Sequence, residues 1–444
     1  MITSTAFAGK HFAVLGLARS GRATVEALLA SGARVTAWDD KLFPGEGRGP
    51  GRCEAAVPAA LDPGLRRGTE IANLNEVDLS QFDSIVVTPG LPLNRHPIAQ
   101  RAKEAGVEII GDIELFARAR AELPPHKLVG ITGTNGKSTT TALVHHILQT
   151  AGVPSLMGGN IGLPILAQDP LPEGGVYVLE LSSYQLDLTQ SLDCDVAVLL
   201  NITPDHLDRY ESFEAYRQSK LRLFQMQSKR HVAVYDFDGN DSLDVEREIR
   251  GESFWFTDDP VGLLANWREW AALQGPHNAQ NAAASIAVCK WLELNEPDID
   301  QALRTFAGLP HRMERVAEKD GVLFVNDSKA TNPTATAPAL AAFPAIRWIL
   351  GGQAKSDNLD ECAPHFSHVR SAYTIGEAAD LFERLLKPHM TVKNCGELGE
   401  AVKQAAADAE AGDTVLLSPA CASFDQFSDF EARGDAFRSA VEAL

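Results

Sequence analysis

The sequence lacks the marks of an exported, stapled or membrane-spanning chain. No apolar run approaches the roughly 18 residues a membrane span needs. The opening MITSTAFAGKHFAVLGLARSG has only a short apolar run, interrupted by Lys10 and His11, that leads into a glycine turn instead of a cleavage site, so no export signal is expected. Six cysteines (Cys53, Cys194, Cys289, Cys362, Cys395, Cys421) are scattered without a C-x-x-C pair, which argues against a zinc site or redox motif and for reduced thiols in the cytoplasm. Basic residues are scarce: 40 Lys and Arg face 59 Asp and Glu, for a formal charge of -19. That balance disfavours nucleic acid or an anionic membrane as a partner, so an anionic substrate must meet locally placed cations. Repeats and low-complexity tracts are also missing.

What is present is a globular chain of 444 residues, 45% hydrophobic, long enough for two or three domains. Short β-rich runs (HFAVLG, ARVTAWD, SIVVTPG, KLVGITG, VYVLELS, VAVLLNIT, RWILGG, TVLLSPA) alternate with helical patterns, the signature of α/β units with parallel sheets. Boundaries are expected near Gly111, after the strand VEII, and near Pro310, giving blocks 1–111, 112–309 and 310–444. The stretch 43–52, rich in glycine and proline, reads as a surface loop.

In the first block a strand ending at Leu15 runs into Gly16-Leu17-Ala18-Arg19-Ser20-Gly21, a helix from about Arg22 to Ala30, and a second strand ending at Asp39-Asp40. This is a Rossmann-like opening, in which a helix N-terminus holds phosphate and a carboxylate bonds a ribose hydroxyl. Ala18 occupies the middle position of G-x-G-x-x-G, where a pyrophosphate needs glycine, and this disfavours NAD.

In the second block KLVGITGTNGKSTT reads as a phosphate-binding loop between strand and helix. Its amides point at phosphates, Lys137 pairs with the β and γ phosphates, and Ser138 or Thr139 places a hydroxyl on Mg²⁺. The first glycine is shifted, Gly130 standing one place early. Glu180, at the polar end of VYVLE, suits a magnesium shell of hard oxygens, and NITPDHLD ends a further strand on the ligand-binding edge of a parallel sheet.

TGTNGKST, LELSSYQLD, NITPDHLDRY, HNAQN, GLPHRME and NDSKATN, in this order and spacing, resemble the Mur ligase family over essentially the whole chain. GLARSG, GGQAKSD and LLSPACASFDQFSDFEARG are most similar to the members that add D-glutamate to UDP-N-acetylmuramoyl-L-alanine. The resemblance implies three α/β domains: a Rossmann-like one for the UDP moiety, a central ATPase with a mostly parallel sheet, and a Rossmann-like one for the incoming amino acid. It implies an ATP- and Mg²⁺-dependent ligase, monomeric and cytoplasmic, acting through an acyl phosphate in peptidoglycan precursor synthesis. Catalysis then rests on positioning and charge stabilisation.

The same resemblance assigns residues. ATP falls to Gly133, Thr134, Asn135, Gly136, Lys137, Ser138, Thr139, Asn278, Asn281, Arg312, Asp327 and Lys329, and metal to Ser138, Glu180, His206 and Lys220. The UDP substrate falls to Arg19, Ser20, Asp39, Asp40, Asn160 and His206, the last two at its alanyl end; D-glutamate falls to Thr331, Lys355, Ser423 and Phe430. Phe424 and Phe427 are expected to pack. Lys220 corresponds to a lysine that the family carbamylates: an ammonium about 5 Å from Mg²⁺ is repelled by about 6 to 7 kcal/mol at an effective dielectric of 20, and a carbamate reverses that sign. Lys137, His206 and Lys220 form the expected catalytic set. Three alternatives stay open: a Mur-type ligase for another amino acid, a nicotinamide-dependent dehydrogenase, and a P-loop switch without ligase chemistry.

Overall fold

The computed structural model describes residues 1–40, 68–205, 209–236, 246–256 and 269–444; the loop expected at 43–52 and His206 lie outside the described residues. The chain divides into two compact units, residues 1–257 with 280–299 and residues 258–279 with 300–444.

The first unit holds two parallel sheets. One has the strand order Thr69–Ile71, Arg34–Trp38, His11–Leu15, Ser84–Val87, Glu108–Ile110. The chain works outward from His11–Leu15 to one side, then crosses to Ser84–Val87 on the other. The crevice between the loops leaving these two strands is the topological switch point, where such sheets take ligands. The second sheet runs Glu252–Phe256, Val232–Asp236, Val196–Leu199, His126–Thr132, Gly175–Glu180, Ser155–Gly159, again wholly parallel. His11–Leu15, Ser84–Val87, Gly175–Glu180 and Val196–Leu199 are buried at every position, as parallel strands covered on both faces must be.

The two sheets of this unit are stitched directly. One hydrophobic cluster runs from Phe12 and Val35 through Phe116 to Leu179 and Phe224. The Glu114 carboxylate accepts the amides of Gln190 (2.7 Å) and Ser191 (2.9 Å), and Glu122 accepts the Ser4 hydroxyl (2.6 Å) and the Thr5 amide (2.8 Å).

The second unit holds a six-stranded sheet ordered Glu314–Lys319, Val322–Asn326, Thr414–Leu417, Ile346–Gly351, Val369–Ile375, Thr391–Gly396. Its edge strand Glu314–Lys319 is antiparallel, joined to Val322–Asn326 through the left-handed pair Asp320 and Gly321. This single antiparallel edge on an otherwise parallel sheet has a physical reason: a two-residue turn returns the chain antiparallel, whereas a parallel partner needs a crossover. A further antiparallel pair, Gln353–Ala354 with Cys421–Ala422, ties together two loops at the C-terminal ends of the sheet strands.

Candidate active site

The glycine-rich turn of the first sheet is set by close packing. A Cβ on Gly16 would lie 2.3 Å from the Thr88 Oγ1, and one on Gly21 would lie 1.8 Å from the Gly16 carbonyl oxygen. The helix begins at Arg19, three residues earlier than expected, because Ala18 already takes the extended backbone of an N-cap. Asp39 accepts the Leu17 amide at 2.7 Å and so fixes the turn. Asp40 accepts the Trp38 indole N–H (2.7 Å) and pairs with His96 Nε2 (2.9 Å). Arg19 is exposed and Ser20 half-buried at the helix N-terminus.

The strand His126–Thr132 delivers the phosphate loop, and the helix Lys137–Thr150 begins at its end. Asn201 clamps the loop: its carbonyl accepts the Thr134 amide (2.8 Å) and its side-chain oxygen the Asn135 amide (2.9 Å). Gly136, with φ +85°, admits no side chain, because a Cβ there would lie 2.1 Å from the Asn281 amide oxygen, to which Thr140 also donates at 3.4 Å. Lys137 Nζ donates to the carbonyls of Gly133 (2.9 Å) and Thr134 (2.8 Å), lying along the loop, and Ser138 and Thr139 are buried in the first helical turn.

Glu180 sits on the neighbouring strand, in register with Ile131 and Gly159. Its Oε1 accepts the Asn160 side-chain amide at 2.9 Å, while Oε2 is buried and has no hydrogen-bond partner among the described residues. A buried carboxylate oxygen is costly when nothing compensates it. With the Ser138 hydroxyl near the phosphate-binding end, the donor set is that of a hard divalent cation completed by phosphate oxygens and water, so these residues fit Mg²⁺. Asn160, expected at the substrate's alanyl end, here orients this carboxylate. Among the described residues no group of three His, Cys, Asp or Glu side chains forms a metal cage.

Lys220 is no exposed helix lysine. It is 1% exposed, and its Nζ donates to the Gly133 carbonyl (2.8 Å) and lies 4.6 Å above the Tyr216 ring. Burial, followed by repulsion from Lys137, holds its amine well below the usual lysine range, against a smaller pull from Asp205 and Asp187. The helix Phe213–Gln225, capped by the Ser212 hydroxyl, puts Tyr216 and Lys220 one turn apart on one face. The Tyr216 hydroxyl meets Thr134 Oγ1 at 3.1 Å. Sequence reasoning placed Asn201 in the strand-end cluster NITPDHLD without giving it a role, and it missed Tyr216, although the four-residue spacing to Lys220 offered a signal.

In the second unit a tight turn presents Arg312 between His311 (φ +61°) and Met313 (φ +48°), two residues in the left-handed region that non-glycine residues seldom adopt. The Met313 amide (3.2 Å) and the Ser418 hydroxyl (2.8 Å) donate to Asp327. Burial pushes the Asp327 carboxyl up to about 7, opposed by the Ser418 bond and the Arg312 charge. Lys329 Nζ lies 5.2 Å over the Phe430 ring, and Lys355 Nζ donates to Thr331 Oγ1 at 3.4 Å. Ser423 is buried, and Asn278 donates to the Gln274 carbonyl at 3.0 Å. Phe427 packs against the core as expected, but Phe424 is 69% exposed: the amides of Gln426 and Phe427 both bond the Ser423 carbonyl, and this tight turn leaves Phe424 in solvent.

Arg433, also missed, is buried at the centre of these loops. Nε donates to Ser328 Oγ (3.0 Å), Nη2 to the carbonyls of Ser328 (2.9 Å) and Cys421 (3.0 Å), and Nη1 to those of Gly351 (3.4 Å) and Ala422 (3.3 Å). One guanidinium thus binds the three segments that carry Thr331, Lys355 and Ser423. Its signal lay in the run FEARG, where the Asp429 side chain caps the helix Phe430–Glu442.

Comparison with known proteins identifies the family. Three family models match: the Mur ligase MurD-like N-terminal domain over residues 10–111, the Mur ligase middle domain over 131–257, and the Mur ligase glutamate ligase domain over 311–421. Proteins named UDP-N-acetylmuramoylalanine--D-glutamate ligase from Novosphingobium aromaticivorans and Zymomonas mobilis are 59% and 54% identical. Each alignment covers 100% of this chain, with 97% and 100% of the respective relative. The fold is shared with the crystal structure of a MurF ligase from Thermotoga maritima (TM-score 0.58, 17% identity, 98% of this chain and 96% of that one). The chain belongs to the Mur ligase family.

Proposed function

We propose that the chain joins D-glutamate to UDP-N-acetylmuramoyl-L-alanine in the cytoplasm, as its relatives' name describes, at the cost of one ATP. The alanyl carboxylate attacks the γ-phosphorus of ATP, ADP departs, and a mixed acyl phosphate forms. The neutral amine of D-glutamate adds to the acyl carbon. The tetrahedral adduct expels phosphate and loses a proton, leaving the amide. Both reactants are polyanions, so the protein's task is to align them and balance charge.

The observation that carries this reading is the convergence of Lys137, Lys220 and the half-satisfied Glu180 on the phosphate loop. The amides from Gly133 to Gly136 cradle the phosphates, helped by Thr139 and Asn281, and Lys137 neutralises the transferring group. Ser138 and Glu180 would hold Mg²⁺, which when bound supplies positive charge between the phosphates. Asn160 holds Glu180 in orientation and stands at the strand end where the alanyl group arrives. Arg19, Ser20, Asp39 and Asp40 receive the UDP moiety; Asn278, Arg312, Asp327 and Lys329 complete ATP binding. Thr331, Lys355, Ser423 and Phe430 receive D-glutamate, Lys355 pairing with its side-chain carboxylate. Blocks 1–111, 112–309 and 310–444 then serve as the UDP, ATP and amino-acid domains. Lys220 is the carbamylation site: its neutral amine, favoured by burial, captures CO₂ and releases one proton, turning a buried uncharged base into an anion beside the metal position.

The test is ADP release and product mass with Mg-ATP and UDP-N-acetylmuramoyl-L-alanine, comparing D-glutamate with L-glutamate, L-alanine and meso-diaminopimelate. Turnover with D-glutamate alone is expected. Turnover with another of these amino acids instead would reassign the amino-acid pocket within the family.

A further inference from the structure

In the second unit, the segment that follows the strand Thr414–Leu417 crosses the C-terminal ends of its parallel neighbours and is held at both halves. The first half is tied to the loops after Val322–Asn326 and Ile346–Gly351. Ser418 Oγ donates to Asp327 at 2.8 Å, the Pro419 carbonyl accepts the Gly351 amide at 2.9 Å, and Cys421–Ala422 pairs with Gln353–Ala354. The carbonyls of Cys421 and Ala422 also accept from Arg433.

The second half is held by Asp425 and Gln426. Asp425 Oδ2 accepts the Glu377 amide at 2.9 Å, just past the strand Val369–Ile375, and Gln426 Nε2 donates to the Gly396 carbonyl at 2.9 Å, at the end of Thr391–Gly396. The Gly396 carbonyl also accepts the Gly376 amide at 2.9 Å, so the two anchors end on one locked corner. Gly376 has φ +69°, and a Cβ there would lie 2.2 Å from Asp425 Oδ2. The carboxylate therefore sits directly against the turn backbone, an approach that only glycine permits.

Between the halves stands Ser423, the residue assigned to the incoming amino acid. Its side chain is buried, and its carbonyl accepts the amides of Gln426 (3.2 Å) and Phe427 (2.8 Å), closing a tight turn that leads straight into the anchors. Asp425 itself is exposed, where a hydrogen bond replaces one to water and adds little to the stability of the whole unit. Its effect lies in placement. A shift of about 1 Å in a group that orients a substrate is enough to cost about a hundredfold in rate.

We propose that Asp425 and Gln426 are positioning residues for the incoming amino acid: they fix the second half of this segment so that Ser423 is held in place for its ligand. The identity of that ligand rests on the proposed function. Asp425→Ala, Asp425→Asn, Gln426→Ala and Gly376→Ala are compared with the wild type by initial rates, each substrate varied in turn, and by thermal unfolding. Asp425→Ala and Gln426→Ala should each raise KM for D-glutamate about fivefold or more, with KM for ATP and for UDP-N-acetylmuramoyl-L-alanine within about twofold of wild type. Their melting temperatures should stay within about 2 °C of wild type, as expected for exposed bonds. Asp425→Asn, whose side-chain oxygen can still accept the Glu377 amide, should recover most of the loss. Gly376→Ala pushes on the same carboxylate from the other side and should raise KM for D-glutamate as well. Wild-type KM for D-glutamate in both Asp425→Ala and Gln426→Ala would overturn the proposal, and so would an equal rise in all three KM values, which marks a general loosening of the fold. A wild type that turns over a different amino acid would overturn the functional reading alone, and the same comparison made with that amino acid then decides the positioning role.

Discussion

Replacing Arg433 tests whether the amino-acid loops are held by one buried cation. Three of its hydrogen bonds are short (2.9 to 3.0 Å) and two are long (3.3 and 3.4 Å). At about 1.5 kcal/mol for each short charge-assisted bond, the favourable part approaches about 4.5 kcal/mol. Against it stands the desolvation of a buried guanidinium whose five hydrogen bonds go to neutral oxygens; burial accordingly lowers its pKa to about 10. A net loss of about 2 to 4 kcal/mol is expected for Arg433→Met. Arg433→Lys should recover little of it, because one ammonium cannot reproduce a planar fork spanning three segments. Thermal unfolding followed by circular dichroism reads the stability, and initial rates with each substrate varied in turn read the function. KM for D-glutamate should rise at least tenfold in Arg433→Lys, more than KM for the UDP substrate. Wild-type stability and wild-type KM for D-glutamate in Arg433→Lys would refute the reasoning.

Other expectations follow from individual groups. Burial raises the Asp112 carboxyl from 3.8 to about 6, so the folded state holds its proton more tightly than the unfolded one. That contribution is complete below about pH 4 and is lost as pH rises through 6, amounting to about 3 kcal/mol at 1.36 kcal/mol per tenfold; Asp112→Asn should flatten urea-denaturation stability over this window, and an unchanged slope would contradict the assignment. Glu180→Gln should cut kcat by about a hundredfold or more, in line with losing one charge-stabilising group, and weaken Mn²⁺ binding measured by electron paramagnetic resonance with ATP present; unaltered Mn²⁺ affinity would remove Glu180 from the metal site. Lys220→Ala should abolish turnover, with partial recovery by added short-chain carboxylates if a carbamate is what is missing; full activity without them would eliminate the carbamate.

The sequence disclosed what is contiguous. The phosphate loop, Lys137 and Ser138 stand within six residues, and the strand ending at Glu180 is marked by its unbroken apolar run, so these could be placed before any coordinates. Pairings across the fold were not legible. That Asn160 would hold Glu180 depends on the register of Ser155–Gly159 against Gly175–Glu180, and nothing local to either strand specifies it. Arg433 looked like any helix arginine until three loops closed over it. Phe424 misled in the opposite sense: its hydrophobicity suggested packing, but the turn at Ser423 decides where it points. In GLARSG a side chain on Gly16 would strike Thr88 and one on Gly21 would strike the Gly16 carbonyl, a packing demand for glycine that no local signal in the sequence displays.

The central claim is that the substrate carboxylate is activated by phosphorylation before the amine attacks. It is tested most directly with UDP-N-acetylmuramoyl-L-alanine carrying ¹⁸O in the alanyl carboxylate, turned over with Mg-ATP and D-glutamate, and mass analysis of the phosphate released. An acyl phosphate leaves one carboxylate oxygen on phosphorus when it collapses, so one ¹⁸O per phosphate is predicted. Phosphate free of ¹⁸O, formed alongside product, would contradict it.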